Sequence, residues 1–101
     1  MTAFVIFNYL QVHDEQKILA YRQRAHPIVA QHGGHVRVRP GALEVREGVA
    51  SQYLIVTEFD DMETARRWYD SEEYQLARKI REGAADVQVI MTECLPEDGT
   101  A

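Results

Sequence analysis

Residues 4–12 read FVIFNYLQV, and residues 87–95, near the other end of the chain, read VQVIMTECL. The first stretch begins as an unbroken apolar run, which is typical of a central strand covered on both faces. The second stretch alternates apolar and polar residues as a strand does. These two stretches therefore predict strands at both ends of the fold, with the remaining elements between them.

A helical pattern follows the first strand. Asp14 is the predicted N-cap, and the glycine pair at 33–34 is the predicted end of the helix. Pro27 lies inside this helix, where it removes a backbone donor and crowds the preceding turn. We therefore expect a kink near residues 23–27, beside His26, at a place where a pocket could open.

The rest of the chain returns to strand spacing and then to helical spacing. Strand patterns occur at residues 35–39, 43–46 and 53–59. Asp60 is the predicted cap of the next helix with Glu63 as its capping-box partner, and residues 70–73 predict a second capping point. The order β-α-β-β-α-β predicts an α+β ferredoxin-like sandwich. We expect a single domain over residues 1–95 and a flexible C-terminal tail over residues 96–101.

Composition narrows the classes of protein that this chain can belong to. The net charge is −5 with 27% charged residues, which argues against nucleic acid or an anionic membrane as a partner. Cys94 is the only cysteine, so an intramolecular disulfide is excluded, and its strand pattern predicts a buried thiol. No apolar run is long enough to span a bilayer, and no signal peptide pattern is present, so we expect a cytoplasmic protein.

The strands predict a partner of identical sequence. In a ferredoxin-like sandwich the helices cover one face of the sheet, yet the strands at 4–12, 53–59 and 87–95 carry large apolar residues at both alternations. An uncovered apolar face favours association, and a two-fold dimer is its commonest form. We therefore expect a homodimer whose two sheets close into a barrel-like body.

Several segments are similar to one bacterial family. They are Gly33-Gly34-His35, Val38-Arg39-Pro40-Gly41, Ile55-Val56-Thr57-Glu58-Phe59 and Trp68-Tyr69-Asp70-Ser71-Glu72-Glu73-Tyr74. Over residues 4–95 the chain resembles the family called Domain of Unknown Function 1330. The resemblance implies the dimeric α+β barrel fold and no general activity. Pro40 departs from the family's usual glycine, which predicts a stiffer turn.

The wider superfamily of dimeric α+β barrels suggests one cofactor to consider. Its haem-degrading monooxygenases use an Asn on the first strand and a Trp on the second helical region, which Asn8 and Trp68 resemble. Arg78 stands where those enzymes place the histidine ligand of the iron. We therefore expect no haem and no other cofactor.

The polar and aromatic residues within these elements suggest a site. Glu58 or His26 is the candidate general base, with Asn8 polarising a substrate carbonyl. The candidate substrate-binding residues are Tyr9, Arg37, Trp68 and Tyr69. The alternative is structural: Glu58 forms a salt bridge with Arg37, and the aromatic residues are core. The four histidines lack the spacing of metal ligands, so we expect no metal.

Two functions remain open at this point. The first is a cofactor-independent monooxygenase or isomerase acting on a small aromatic or polyketide-like molecule under the kinked helix. The second is a non-catalytic small-ligand-binding or structural homodimer. A cavity of about 300 Å³ or more with convergent polar groups favours an enzyme or a binder. A smaller cavity, with Glu58 held by an arginine, favours a structural role.

Overall fold

The described residues form one antiparallel sheet covered on one face by helices. The computed structural model describes residues 1–96. Its strands are β1 (Ala3–Val12), β2 (His35–Val38), β3 (Tyr53–Phe59) and β4 (Ala85–Glu93). The strand order is β2-β3-β1-β4, with antiparallel pairing throughout. The strand predicted to be central, β1, thus lies between β3 and β4.

The helical segments are α1 (Glu15–Gln31), α2 (Met62–Asp70) and α3 (Glu72–Ile80). Together with the strands they give the order β1-α1-β2-β3-α2-α3-β4, so the predicted ferredoxin-like α+β fold is confirmed, with its second helix divided in two. In the part of the chain that the structure describes, no helix has both the length and the apolar character needed to cross a bilayer.

The core lies between the helices and one face of the sheet. Alternate residues of β1 are buried there, from Ala3 to Tyr9, because successive side chains of a strand point to opposite faces. Trp68 of α2 is fully buried among other aromatic rings. Its ring centroid lies 4.4 Å from that of Tyr74 and 5.2 Å from that of Phe59.

Side-chain caps fix where the helices begin. Asp14 caps α1 as predicted, accepting hydrogen bonds from the backbone N–H groups of residues 16 and 17. Ser71 ends α2 and caps α3, which confirms the predicted second capping point. The cap of α2 was predicted wrongly: Asp61, not Asp60, accepts the N–H of Thr64, at 2.7 Å. The helix α1 continues through Pro27 for another turn.

Two further predictions need correction. Residues 43–46 do not form a strand, although they alternate. The register of β2 against β3 shifts between Val36 and Val38, and β2 ends there, so no strand continues along that edge to pair with this segment. Cys94 is exposed rather than buried, because it continues the alternation of the exposed positions of β4, such as Ile90 and Thr92. Most of the predicted tail, residues 97–101, lies outside the described residues.

The other face of the sheet carries no helix. We call it the open face. Its apolar side chains alternate with the core residues along three strands, and they are Phe4, Ile6, Leu10, Leu54, Val56 and Ile90. Ile6 is paired with Val56 on one side and Ile90 on the other. The face is therefore a contiguous apolar surface at its centre.

Candidate functional site

A cavity of about 390 Å³ lies between α1 and the helix-covered face of the sheet. Successive turns of α1 contribute to its wall through Tyr21, Ala25 and Val29. The sheet contributes Phe7 and Ile55 from β1 and β3. Cavities that hold small organic ligands start at about 300 Å³ and have mostly apolar walls. This cavity meets both conditions.

Three of the predicted site residues line this cavity. His26 lies on the exposed rim, while Tyr9 and Trp68 are fully buried in the wall. Tyr69 is not part of the wall, although its ring packs edge-on against Trp68 with 5.8 Å between the centroids. The structure therefore places the aromatic residues and the histidine of the predicted site around one cavity, with Tyr69 behind it.

Asn8, Glu58 and Arg37 do not line the cavity. Asn8 and Glu58 alternate with the buried residues of their strands, so their side chains point to the open face. The expected grouping of Asn8 and Glu58 with Trp68 and His26 in one pocket is therefore corrected. Strand periodicity separates them, since each lies one residue away from a core position.

The open-face residues have partners of their own. Arg37 Nε lies 3.2 Å from Glu58 Oε1, which is the salt bridge named above as the structural alternative. The Asn8 side-chain oxygen accepts a hydrogen bond from the Ser51 hydroxyl. The Asn8 and Glu58 side chains are thus paired within the chain, which lowers the cost of burying them in an interface.

Arg22 lines the cavity, and sequence reasoning gave it no functional role. It lies one turn before His26 on α1, and its guanidinium carbon is 4.9 Å from the ring centroid of Tyr53 and 5.7 Å from that of Tyr9. The available signal was an arginine among the apolar positions of an amphipathic helix. An arginine on such a face must find a partner or a ligand.

Three donor groups in the wall have no hydrogen-bond partner within residues 1–96. They are the Tyr9 hydroxyl, Arg22 Nε and Trp68 Nε1, and all three atoms are buried. Leaving a buried polar group unpaired costs about 1–3 kcal/mol. An oxygen acceptor placed within hydrogen-bond distance of these groups would recover part of that free energy.

Burial keeps the tyrosines of this region protonated. It raises the pKa of Tyr9 to about 12, although the positive charges of Arg81 and Arg22 act in the opposite direction. Burial also raises the pKa of Tyr21, and the neighbouring Tyr74 adds to that effect. At neutral pH these phenols are therefore hydrogen-bond donors rather than bases.

A smaller cleft of about 270 Å³ adjoins the cavity along β2. The two share His26 and Arg39, and the cleft adds His35 and Arg37. In the described part of the chain, no group of three or more His, Cys, Asp and Glu side chains could hold a metal ion. Arg78, the residue at the position of the haem ligand, donates from Nε to Gln75 Oε1 at 2.9 Å.

Solved structures of similar fold include proteins of unknown function. One, from Rhodopseudomonas palustris, has a TM-score of 0.74 and 17% sequence identity, over 95% of this chain and 84% of its own. Another, from a Jannaschia species, is described as a dimeric ferredoxin-like protein. It has a TM-score of 0.75 and 11% identity, over 93% of this chain and 100% of its own. At these identities the likeness shows the fold alone.

A third similar structure has a described activity. It is SnoaB, a cofactor-independent oxygenase from Streptomyces nogalater, with a TM-score of 0.63 and 14% identity over 95% of this chain and 94% of its own. No curated protein sequence matches this chain. The family model described as "Domain of unknown function (DUF1330)" matches residues 2–95, so the chain belongs to that family.

Proposed function

We propose that this protein binds a small planar aromatic or polyketide-like molecule in the cavity and acts on it without a cofactor, as a monooxygenase or an isomerase. The observation that carries this proposal is the cavity of about 390 Å³ with three unpaired buried donors in its wall, within the described residues. The flat rings of Phe7 and Trp68 in that wall favour a flat ligand.

The proposed chemistry begins with removal of a proton from the substrate. His26 lies on the rim, where an imidazole nitrogen can accept a proton from a bound molecule. The negative charge then moves to a substrate oxygen. Arg22 and Trp68 would stabilise that oxygen, because donors in a water-poor site act most strongly where charge develops.

The fate of the proton and the electrons distinguishes the two reactions. In an isomerase, the proton returns to a different carbon of the substrate. In a monooxygenase, the substrate carbanion passes electrons to O₂, so that a CH₂ group and O₂ become a carbonyl group and water. SnoaB, a cofactor-independent oxygenase, has a similar fold, and this likeness supports the monooxygenase reaction as part of the proposal.

The alternative is a ligand-binding dimer without catalysis. It is favoured by the position of Glu58, which is paired with Arg37 outside the cavity. With that carboxylate elsewhere, the exposed His26 is the remaining candidate base. We retain this alternative because a cavity for binding needs donors and shape, but no base.

We also propose that two copies pair through the open face. Its apolar centre at Ile6, Val56 and Ile90 is not covered by any helix of residues 1–96. The dimeric description of the Jannaschia protein of similar fold supports this arrangement. In such a pair each cavity stays on the outer, helical side of its own sheet, so both sites remain accessible.

Ligand binding is tested with the fluorescence of Trp68, the only tryptophan in the chain. We expect 2-naphthol to quench it in the natural protein. Ala25→Leu should weaken binding by about tenfold or more, because the larger side chain occupies the cavity. The matched control is Ala20→Leu on the exposed side of α1, which should bind normally. Equal binding by both variants, or no quenching at all, would contradict the proposal.

Catalysis is tested separately with hydroxylated naphthalenes and anthrones as trial substrates, by oxygen consumption and product analysis. We expect His26→Ala to lower turnover by about a hundredfold or more while ligand binding changes little, since general bases contribute at least that much. Binding without any turnover in the natural protein would favour the non-catalytic alternative.

A further inference from the structure

The charges around the cavity are all of one sign. Its wall contains Arg22 and Arg39, and no aspartate or glutamate. The chain as a whole has 16 acidic residues against 11 lysines and arginines. A wall with two arginines and no carboxylate is therefore contrary to the overall composition, and it favours an anionic ligand.

Arg22 is held in place without an acidic partner. No carboxylate of residues 1–96 lies within salt-bridge distance of it. Its guanidinium instead lies over the faces of Tyr53 and Tyr9, and its Nε is buried. A partly buried cation is normally paired with an anion. Stacking on the rings fixes the guanidinium, and its Nε has no hydrogen-bond partner within residues 1–96, so the group has capacity left for an anion.

A second guanidinium lies behind the wall. Arg81 is over the ring of Tyr21 at 5.0 Å, and its Nη2 donates to the Tyr74 hydroxyl at 3.5 Å. It likewise has no salt bridge to a described carboxylate. Its charge acts on the Tyr9 phenol, as does that of Arg22. Two guanidinium charges without a carboxylate partner therefore act on Tyr9, a residue of the cavity wall.

We propose that the cavity is selective for organic anions, namely planar aromatic molecules whose ionised oxygen is held by the Arg22 guanidinium with the Tyr9 hydroxyl as a second donor. This inference rests on the proposed function and adds the chemical class of its ligand. The ionised oxygen can belong to a carboxylate or to a phenolate or enolate. All three accept charge-assisted hydrogen bonds from arginine.

The test compares two probes of the same shape, naphthalene-2-carboxylate and the neutral naphthalene-2-carboxamide, through quenching of Trp68. We expect the carboxylate to bind about tenfold tighter at low salt, with a preference that shrinks as salt is added. A nitrophenol measured below and above its own ionisation separates the two sources of charge. If the ionised nitrophenol binds more tightly than the neutral one, the cavity accepts phenolates. If ionisation of the nitrophenol has no effect but the carboxylate still binds more tightly than the carboxamide, the ligand is a carboxylate.

Variants of one helix locate the charge that is responsible. Arg22→Gln should remove the preference for carboxylate over carboxamide, because the carboxylate affinity falls more than the carboxamide affinity does. Arg22→Lys should keep part of the preference, because the charge remains without the planar fork. The control is Arg24→Gln, an exposed position of the same helix outside the cavity, which should keep all of it.

The outcomes separate this inference from the proposed function. Equal binding of both probes by the natural protein overturns the anion selectivity and leaves the aromatic cavity standing. Equal effects of Arg22→Gln and Arg24→Gln also overturn it. Failure of both probes to bind overturns the two proposals together. The comparison of probes in the natural protein needs no variant, so it decides the question even if Arg22→Gln does not fold.

Discussion

At the scale of single residues, the hydroxyl groups of Tyr21 and Tyr74 join α1 to α3. The two oxygens lie 2.8 Å apart and both side chains are buried. Because Tyr21 also lines the cavity, this hydrogen bond connects the wall of the site to the helix behind it. A buried hydroxyl that loses its partner costs more than the bond itself contributes, which makes the pair testable.

Each single variant, Tyr21→Phe or Tyr74→Phe, should lower the free energy of unfolding by about 1–2 kcal/mol, because it breaks a buried hydrogen bond and removes one partner of the other hydroxyl. The double variant should lose less than the sum, with a coupling energy of about 1 kcal/mol. Urea denaturation measures all three. Tyr69→Phe, at a half-buried tyrosine of the same aromatic cluster, is the control. Strictly additive losses would show that the pair is not coupled.

At the scale of elements, the end of α1 sets the distance between that helix and the sheet. Gly33 has a positive φ of 80°, and the N–H groups of Gly33 and Gly34 donate to the carbonyl groups of Ala30 and Val29. This is the Schellman arrangement, in which a glycine reverses the chain direction. The reversal places Gly34 tightly against the core, so β2 can enter the sheet directly after the helix.

Gly34→Ala should destabilise the protein by about 1–3 kcal/mol, because its new methyl group would lie 2.6 Å from Val29 Cγ1 and 2.8 Å from the Phe59 ring. Both neighbours are buried and have little room to move. The control is Gly41→Ala, where no atom lies within 4 Å. Denaturant unfolding compares the two variants. If Gly34→Ala lowered the free energy of unfolding as little as Gly41→Ala, the helix would be able to move away from the sheet.

At the scale of the whole molecule, the two faces of the sheet have different roles. The helical face contains the core and the cavity. The open face combines an apolar centre with polar groups that are already paired, such as Glu58 with Arg37. This combination is suited to an interface, because the apolar area drives association and the paired polar groups cost little to bury.

Ile6→Asp tests that interface at its centre. We expect the natural protein to sediment as a dimer, and the variant to dissociate with a dimer Kd at least about a hundredfold weaker, since each copy would bury an unpaired charge. Leu19→Asp is the control, because Leu19 is an apolar residue of α1 that is 55% exposed and distant from the open face. A natural protein that sediments at 11.6 kDa at micromolar concentration would contradict the dimer.

The amino-acid sequence determined the order of the elements and most of their ends. Apolar runs placed β1 and β3, and capping residues at Asp14 and Ser71 marked the helices, because these signals are local and need no knowledge of the rest of the chain. These local signals gave a wrong prediction where a strand needs a neighbouring strand to pair with. Residues 43–46 alternate like a strand, yet the sheet offers them no edge.

Tertiary structure alone decided which residues share a site. Asn8 and Tyr9 are neighbours in sequence, but they point to opposite faces of β1, so only Tyr9 lines the cavity. Arg22 lines the cavity because the side of α1 that carries it packs toward the sheet. The physical reason is that a site depends on the direction in which each side chain points, and packing between elements that are far apart in the chain fixes that direction.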